Sequence, residues 1–472
     1  MLNQAVPLAP NLYSPNALVP LVLYGWVPIV FLMFMFLPPR HAVIFAFLGA
    51  WMFLPMAGFS LPLIPDYTKM TATCVGVLLG AMIFDMPRVA VFRPKLWDLP
   101  MLFWCFAPLP ASISNQLGVY DGLSESLLQV ITWGLPYLIG RIYFSDMKSI
   151  RVLAIGIVAG GLVYVPFCLW ESRMSPQLHH TLYGFHQHQF LQSIRLGGFR
   201  PIVFMQHGLM VATWMAAASL VAVWLWICGS VKRIWGVPMP LLIVVLLFTT
   251  VLCRSVGATI LLISGLASLF MVRSLKSPIP VLCIIVSVPI YIAFRAPNIW
   301  TGRSLENLAD TLTNPRAAQS LRWRFQNERI LAAKAMQRPI FGWGGWGRSR
   351  VKDEFGHQAI HAADGLWIIT FGRTGVVGLF LLMAMILSPV FLLLLRYPSA
   401  IWATPALGPS SALVMLLCLY IVDCLPNAMV NPIYMLASGG LIGTMTTQSR
   451  TVETTARRVA RPPIRVGRTA RP

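Results

Sequence analysis

Charge is what this sequence has least of. Only 11% of its residues are Asp, Glu, Lys or Arg, where a soluble domain carries about a quarter. With 57% apolar residues and a mean hydropathy of +0.71, the chain has more apolar surface than one aqueous core can hide. Lipid is therefore its expected main solvent. Acidic side chains are the scarcest of all: 15 Asp+Glu stand against 36 Lys+Arg, a formal net charge of +21. Such an excess fits a positive-inside topology signal, and it also fits a site for polyanionic or phosphorylated ligands.

Other absences narrow the field. Strict apolar/polar alternation is missing, which argues against a membrane β-barrel. The eight cysteines lie mostly inside apolar runs such as "TATCVG" and "VLCIIV", so they read as small core residues and no disulfide framework is expected. The first seventeen residues hold no positive side chain. A cleavable signal peptide is thus not expected, and the run Ala17–Leu37 reads as a retained span. His179, His180, His186 and His188 gather in one polar stretch, but their spacing matches no zinc pattern and no cysteine or carboxylate cluster joins them. With no Asp-x-Asp pair either, neither a metal nor any other cofactor is expected.

What is present is a long series of apolar runs. They lie near 17–37, 41–61, 70–86, 97–116, 124–144, 150–170, 204–228, 237–253, 257–272, 278–296, 375–395, 411–429 and 431–446. At roughly 20 residues per crossing this predicts an all-α polytopic membrane protein with about 12–13 transmembrane helices. Four segments follow: a bundle over 1–296, a large polar loop over 297–362, further spans over 363–446, and a basic tail over 447–472. The connections at 38–41, 87–95, 141–151, 231–233, 273–276 and Arg396 are rich in Lys and Arg and fall on one side with the tail. The positive-inside rule makes that side cytoplasmic and puts 297–362 outside. The tail lacks apolar periodicity and reads as disordered, able to touch anionic lipid. Without base-stacking aromatics it gives no reason to expect a nucleic-acid partner.

Two outward polar segments carry the chemistry. In "LRWRFQNERILAAKAMQRP", Leu321, Phe325, Ala332 and Met336 share about one third of a helical wheel, Arg322 and Arg329 lie on a neighbouring face, and Pro339 ends the helix. "IFGWGGWG" follows, with Gly342, Gly344, Gly345 and Gly347 open to tight turns and Trp343 and Trp346 between them. The bland reading is an interfacial amphipathic helix with Trp323, Trp343 and Trp346 at headgroup level. The sharper one is a lid over a site for a lipid phosphate. Upstream, Arg195 and Arg200 bracket Gly197 and Gly198, and Arg254 stands between two spans. Arginines at a membrane edge commonly snorkel, yet a pair beside glycines suits forked binding of a diphosphate. For Asp85, Glu171 and Asp423, near span ends, structural pairing is the default expectation.

At "FQNERILAAKAMQRPIFGWGGWG" and "HAADGLWIITFGRTGVVGLFLL" the chain resembles the O-antigen ligase/polymerase superfamily of bacterial inner-membrane proteins. Pro339, Phe341, Gly342 and Gly344 match its Pro-[Leu/Ile]-Phe-Gly-x-Gly stretch, and Thr374, Gly375 and Gly378 match its span opening. "RLGGFRP" and "CRS" are similar to its upstream arginine motifs. The family's His-Asn is "HAADGLW" here, and Cys253 stands where a Ser precedes the span-start arginine. The resemblance covers roughly 190–380. It implies a GT-C-like fold with a large external loop in the bacterial inner membrane. It also implies transfer or polymerisation of a glycan carried on undecaprenyl diphosphate, onto a lipid or glycan acceptor. Arg195, Arg200, Arg254 and Arg322 would hold the diphosphate, His361 or Asp364 would act as base, and Pro339, Gly342, Trp343, Gly344 and Trp346 would form a lid. Two rival readings are a transporter or flippase for the same lipid-linked glycan and a non-catalytic scaffold.

Overall fold

A backbone in hydrocarbon must satisfy its own hydrogen bonds, which helices do within one segment. The computed structural model describes residues 15–62, 64–312, 315–351 and 364–447, and these are mostly helical. The chain opens with α1 (Leu18–Phe36), α2 (Pro39–Phe53) and α3 (Lys69–Phe84), then the shorter α4 (Met86–Val91), α5 (Leu99–Phe106), α6 (Pro108–Ser114), α7 (Val119–Gln129) and α8 (Leu135–Tyr143), then the long α9 (Met147–Met174). A polar stretch holding α10 (Leu178–Tyr183) leads to α11 (Gly208–Ile227), α12 (Met239–Leu252), α13 (Val256–Leu275) and α14 (Ile279–Arg295). Next come α15 (Arg303–Leu312), α16 (Pro315–Ala335), α17 (Leu366–Arg396), α18 (Gly408–Asp423) and α19 (Pro432–Thr446).

Each of the thirteen apolar runs contains helix, but not each makes a full crossing. Among the described residues, six stretches are long and apolar enough to span: Leu18–Phe36, Leu96–Ser114, Met147–Met174, Gly208–Ile227, Val256–Leu275 and Leu366–Arg396. Four more apolar helices, α3, α12, α14 and α18, have 10–17 residues. The number of full-length spans is thus smaller than the 12–13 the sequence predicts. Prolines stand at the first or second positions of α12, α14, α18 and α19, and these helices have only 14, 17, 16 and 15 residues. A purely α-helical chain is also corrected, by three small antiparallel hairpins: β1 (Gly58–Leu61) with β2 (Ile64–Thr68), β3 (Ile194–Arg195) with β4 (Gly198–Phe199), and β5 (Arg233–Ile234) with β6 (Val237–Pro238).

Burial sorts the bundle into centre and rim. Nearly every residue of α11, α18 and α19 is buried, whereas α12 exposes Leu241, Val244, Phe248 and Val251 on one face. The short basic connections meet one another. Arg40 pairs with Asp146, Arg151 donates to the Ser230 carbonyl at 2.5 Å, Lys95 to that of Thr446 at 3.0 Å, and Ser399 to that of Lys276 at 2.6 Å. Elsewhere, Glu171 accepts backbone N–H groups from Leu178, Ile202 and Val203 at 2.7–3.0 Å, which ties the end of α9 to the loop before α11. The structural role expected of Glu171 is the one it has.

α16 packs on α17 with Phe325, Leu331, Ala332 and Ala335 buried; of the stripe expected from the sequence, Phe325 and Ala332 are buried, Leu321 is half-buried and Met336 is exposed. One ion pair fixes the register of α16. The Glu328 carboxylate accepts from Arg295 at 3.0 and 3.2 Å, from Tyr291 at 2.7 Å and from the Trp367 indole at 3.2 Å. Arg295 is 2% exposed and also donates to the carbonyls of Trp300 and Phe325. Removing one partner strands a buried charge, which costs about 3–5 kcal/mol, whereas an apolar pair of similar volume is close to neutral. Glu328→Leu should therefore lower thermal stability in detergent sharply, and the double variant Arg295→Met/Glu328→Leu should recover much of it. A double variant no more stable than the single one would refute this account.

Candidate functional site

The glycines of the Met336–Arg350 stretch answer to a break in α17. Gly375 has φ +67° and ψ −165° in the middle of that helix, a conformation reserved in practice for glycine. The break removes the helical bonds from Val376 and Val377 back to Gly372 and Arg373. All four orphaned groups are taken up by one segment. Val376 N–H donates to Pro339 O at 2.7 Å and Val377 N–H to Ile340 O at 3.3 Å, while Trp343 and Gly344 N–H donate to the carbonyls of Gly372 and Arg373 at 2.9 Å. The approach leaves no room for side chains: a Cβ on Gly375 would lie 2.2 Å from Ile340 O, and one on Gly342 2.6 Å from the Arg373 carbonyl carbon. In a water-poor setting each unmet group would cost several kcal/mol, so the segment is part of the helix's own structure.

Side chains pin the segment from above and below. Asn115, buried after α6, donates to the Gly342 carbonyl at 2.9 Å and accepts from Arg338, and its own carbonyl accepts from Arg348 at 3.1 Å. Trp343 donates to Lys334 O at 2.8 Å and lies under the Lys334 ammonium and the Arg338 guanidinium, 3.7 and 4.6 Å from its ring centre. Trp346 is 77% exposed.

Three of the four arginines singled out in the sequence converge. Leu196 and Gly197 both have positive φ and close the β3–β4 turn in the manner of a type I′ hairpin. The Arg254 guanidinium lies over this turn, donating to Leu196 O and, at 3.3 Å, to Arg195 O. A Cβ on Gly198 would be 2.4 Å from it. Arg254 itself holds φ +48° between α12 and α13, and its carbonyl accepts from Arg200 at 2.8 Å. No salt bridge to Arg195, Arg200 or Arg254 occurs among the described residues, and the Nε of each is buried without a hydrogen-bond partner. Burial and the charge of Arg195 push Arg200 down to about 10, so it stays cationic at neutral pH.

The fourth candidate is displaced by two residues. Arg322 is exposed on α16, and Arg324, about 200° further round the helix, stands in the field of Arg200, His207, Asp364 and Asp423. Its Nε is 3.7 Å from the Asp364 carboxylate. Burial raises the Asp364 carboxyl above its ordinary range and Arg324 draws it partly back. His207 caps α11, its Nδ1 accepting from Leu209 N–H at 2.9 Å. Burial, His188 and the nearby guanidinium groups push it down to about 3, so it is neutral. His361, the other candidate base, lies outside the described residues, as does the tail over 448–472. Among the four clustered histidines, His179 is committed to the scaffold between Met56 N–H and Phe185 O.

Arg324, Glu328 and Asn115 escaped the sequence reading. Their signals are a basic residue two places from a chosen one, a carboxylate beside an apolar stripe, and a lone amide. The chain matches no protein-family model and no curated protein. The splice can be tested directly. Gly375→Ala should free the 339–344 segment without unfolding the bundle, so trypsin should cut near Arg348 and Arg350 at least several-fold faster at unchanged helical circular dichroism. An unchanged cleavage rate would show that the segment is held by other means.

Proposed function

We propose that this chain is a metal-independent membrane glycosyltransferase that transfers or polymerises a glycan carried on a polyprenyl diphosphate, as proteins of the O-antigen ligase/polymerase superfamily do. One observation carries the reading: Arg195, Arg200 and Arg254 gather without a carboxylate partner among the described residues, each with a buried Nε lacking an acceptor. Like charges held together at a membrane edge call for an anion. A diphosphate offers oxygens to several forks at once. Under this reading the arginine end of the bundle faces outward and the basic connections face the cytoplasm of a bacterial inner membrane, by the positive-inside rule. A GT-C-like arrangement with 297–362 as a large external loop belongs to the same proposal.

The chemistry follows from charge. An acceptor hydroxyl attacks the anomeric carbon, the bond to the diphosphate oxygen breaks, and negative charge grows on the leaving polyprenyl diphosphate. Fixed guanidinium groups stabilise that charge, one well-placed donor being worth roughly 3–4 kcal/mol. Asp364 or His361 takes the acceptor proton. Arg324, beside Asp364, replaces Arg322 in the site. The rival transporter reading needs the same basic cluster but also a path open to both ends of the bundle.

Transfer from a polyprenyl-diphosphate glycan by purified protein tests the proposal. Arg254→Ala should lower turnover roughly 100- to 1000-fold. Arg254→Lys keeps the charge but loses the planar fork and should remain well below wild type, while Arg457→Ala in the tail should be nearly silent. Wild-type turnover in both Arg254 variants would sink the reading and move the transporter ahead.

A pH profile separates the two candidate bases. Asp364 works as a base only when ionised, and its raised carboxyl places the acid limb above that of an ordinary aspartate, with activity falling as pH drops through it. Arg324→Gln removes the cation that draws the value down, so the limb should move to still higher pH. An acid limb that does not move assigns the base role elsewhere, leaving His361.

A further inference from the structure

The 344–346 turn roofs a second space that the arginine cluster does not reach. It contains about 900 Å³ of empty volume, part of it continuous with the surroundings, and lies between α5–α6, α7 with the turn into α8, and the first half of α17. None of Arg195, Arg200, Arg254 or Arg324 lines it. Its floor is one face of α7, where Asp121, Glu125 and Gln129 recur at four-residue spacing. Glu125 is held by Arg373 at 2.5 Å, whereas Asp121 has no salt bridge among the described residues and stays half-exposed to the cavity. Trp104 and Trp133 meet edge to face at 5.8 Å on its inner wall, and the Trp104 indole nitrogen is buried without an acceptor. Trp346, at φ +58° and 77% exposed, stands at the mouth.

This lining selects among ligands. Two carboxylates against one guanidinium leave a charge of −1, which repels a phosphate. An acyl chain would cover the Asp121 carboxylate without giving it a hydrogen bond, a heavy penalty. A sugar ring suits both halves: its C–H face lies on indole and its hydroxyls donate to Asp121 and Gln129. We propose that this pocket binds an uncharged hexose-like ring through Asp121, Gln129 and the tryptophans, and that it is the acceptor pocket of the transferase. The acceptor role rests on the reading under Proposed function; the sugar binding does not. Along the chain the two sites are neighbours, since Leu366 lines the pocket two residues after Asp364.

The test is saturation-transfer NMR on the full chain in lipid nanodiscs, with methyl glucoside, galactoside, mannoside and rhamnoside as probes. At least one glycoside should receive saturation. The signal should fall several-fold in Asp121→Ala and Trp346→Ala and persist in Arg254→Lys. Asp121 is half-exposed and Trp346 exposed, so both variants should fold, which size-exclusion and circular dichroism verify. No saturation from any probe, or equal signals in wild type and both pocket variants, overturns the sugar site. Sugar binding together with full turnover in the Arg254 variants would keep the pocket and remove only its acceptor role.

Discussion

Four backbone hydrogen bonds around Gly375 hold the functional half of this protein together. A helix broken in hydrocarbon exposes donors and acceptors that nothing nearby can meet. Here the chain meets them with its own upstream segment, so that Pro339–Gly344 completes α17 from outside. The ion pair of Arg295 and Glu328 then sets where α16 lies on α14 and α17. With both in place, Arg324 faces Asp364 and the 344–346 turn closes over α7. The polar stretch is thus scaffold first, and any substrate it covers inherits its rigidity from a backbone requirement.

The two candidate sites divide the electrostatics. One gathers three arginines that have no carboxylate partner among the described residues, and the other carries a slight excess of carboxylate. Between them runs the junction of Asp364, Leu366 and the end of α18, where Leu366 N–H donates to Asn427 O at 3.0 Å. A donor that is an anion and an acceptor that is a neutral sugar would be sorted by charge before any shape is read.

Much of the helix layout was legible because hydropathy reports a solvent, and lipid is a solvent with one requirement. Each apolar run holds a helix near its expected place. Span number was less legible, since the helices in the runs at 237–253, 278–296 and 411–429 have only 14, 17 and 16 residues, short of a full crossing. The arginine cluster was visible as charges at span edges, and Arg195, Arg200 and Arg254 do meet. Arg324 does not stand out in the sequence, which shows which residues share a face but not which face is docked. Docking is set by Glu328 and Arg295, 33 residues apart, and no local pattern links them. The pocket on α7 was illegible for the same reason: Asp121, Arg373 and Trp346 come from three separate stretches.

The arginine cluster is wired through main-chain carbonyls. Arg254 holds the carbonyls of Arg195 and Leu196, and Arg200 holds the carbonyl of Arg254. No guanidinium in this ring of contacts takes another's side chain as its acceptor. Shortening one arginine therefore leaves the anchor of its neighbour standing, so the three positions are separable parts despite their closeness. Any non-additivity between them in a double-mutant cycle would report their charges, through mutual repulsion or an anion held in common, and not a link in the scaffold.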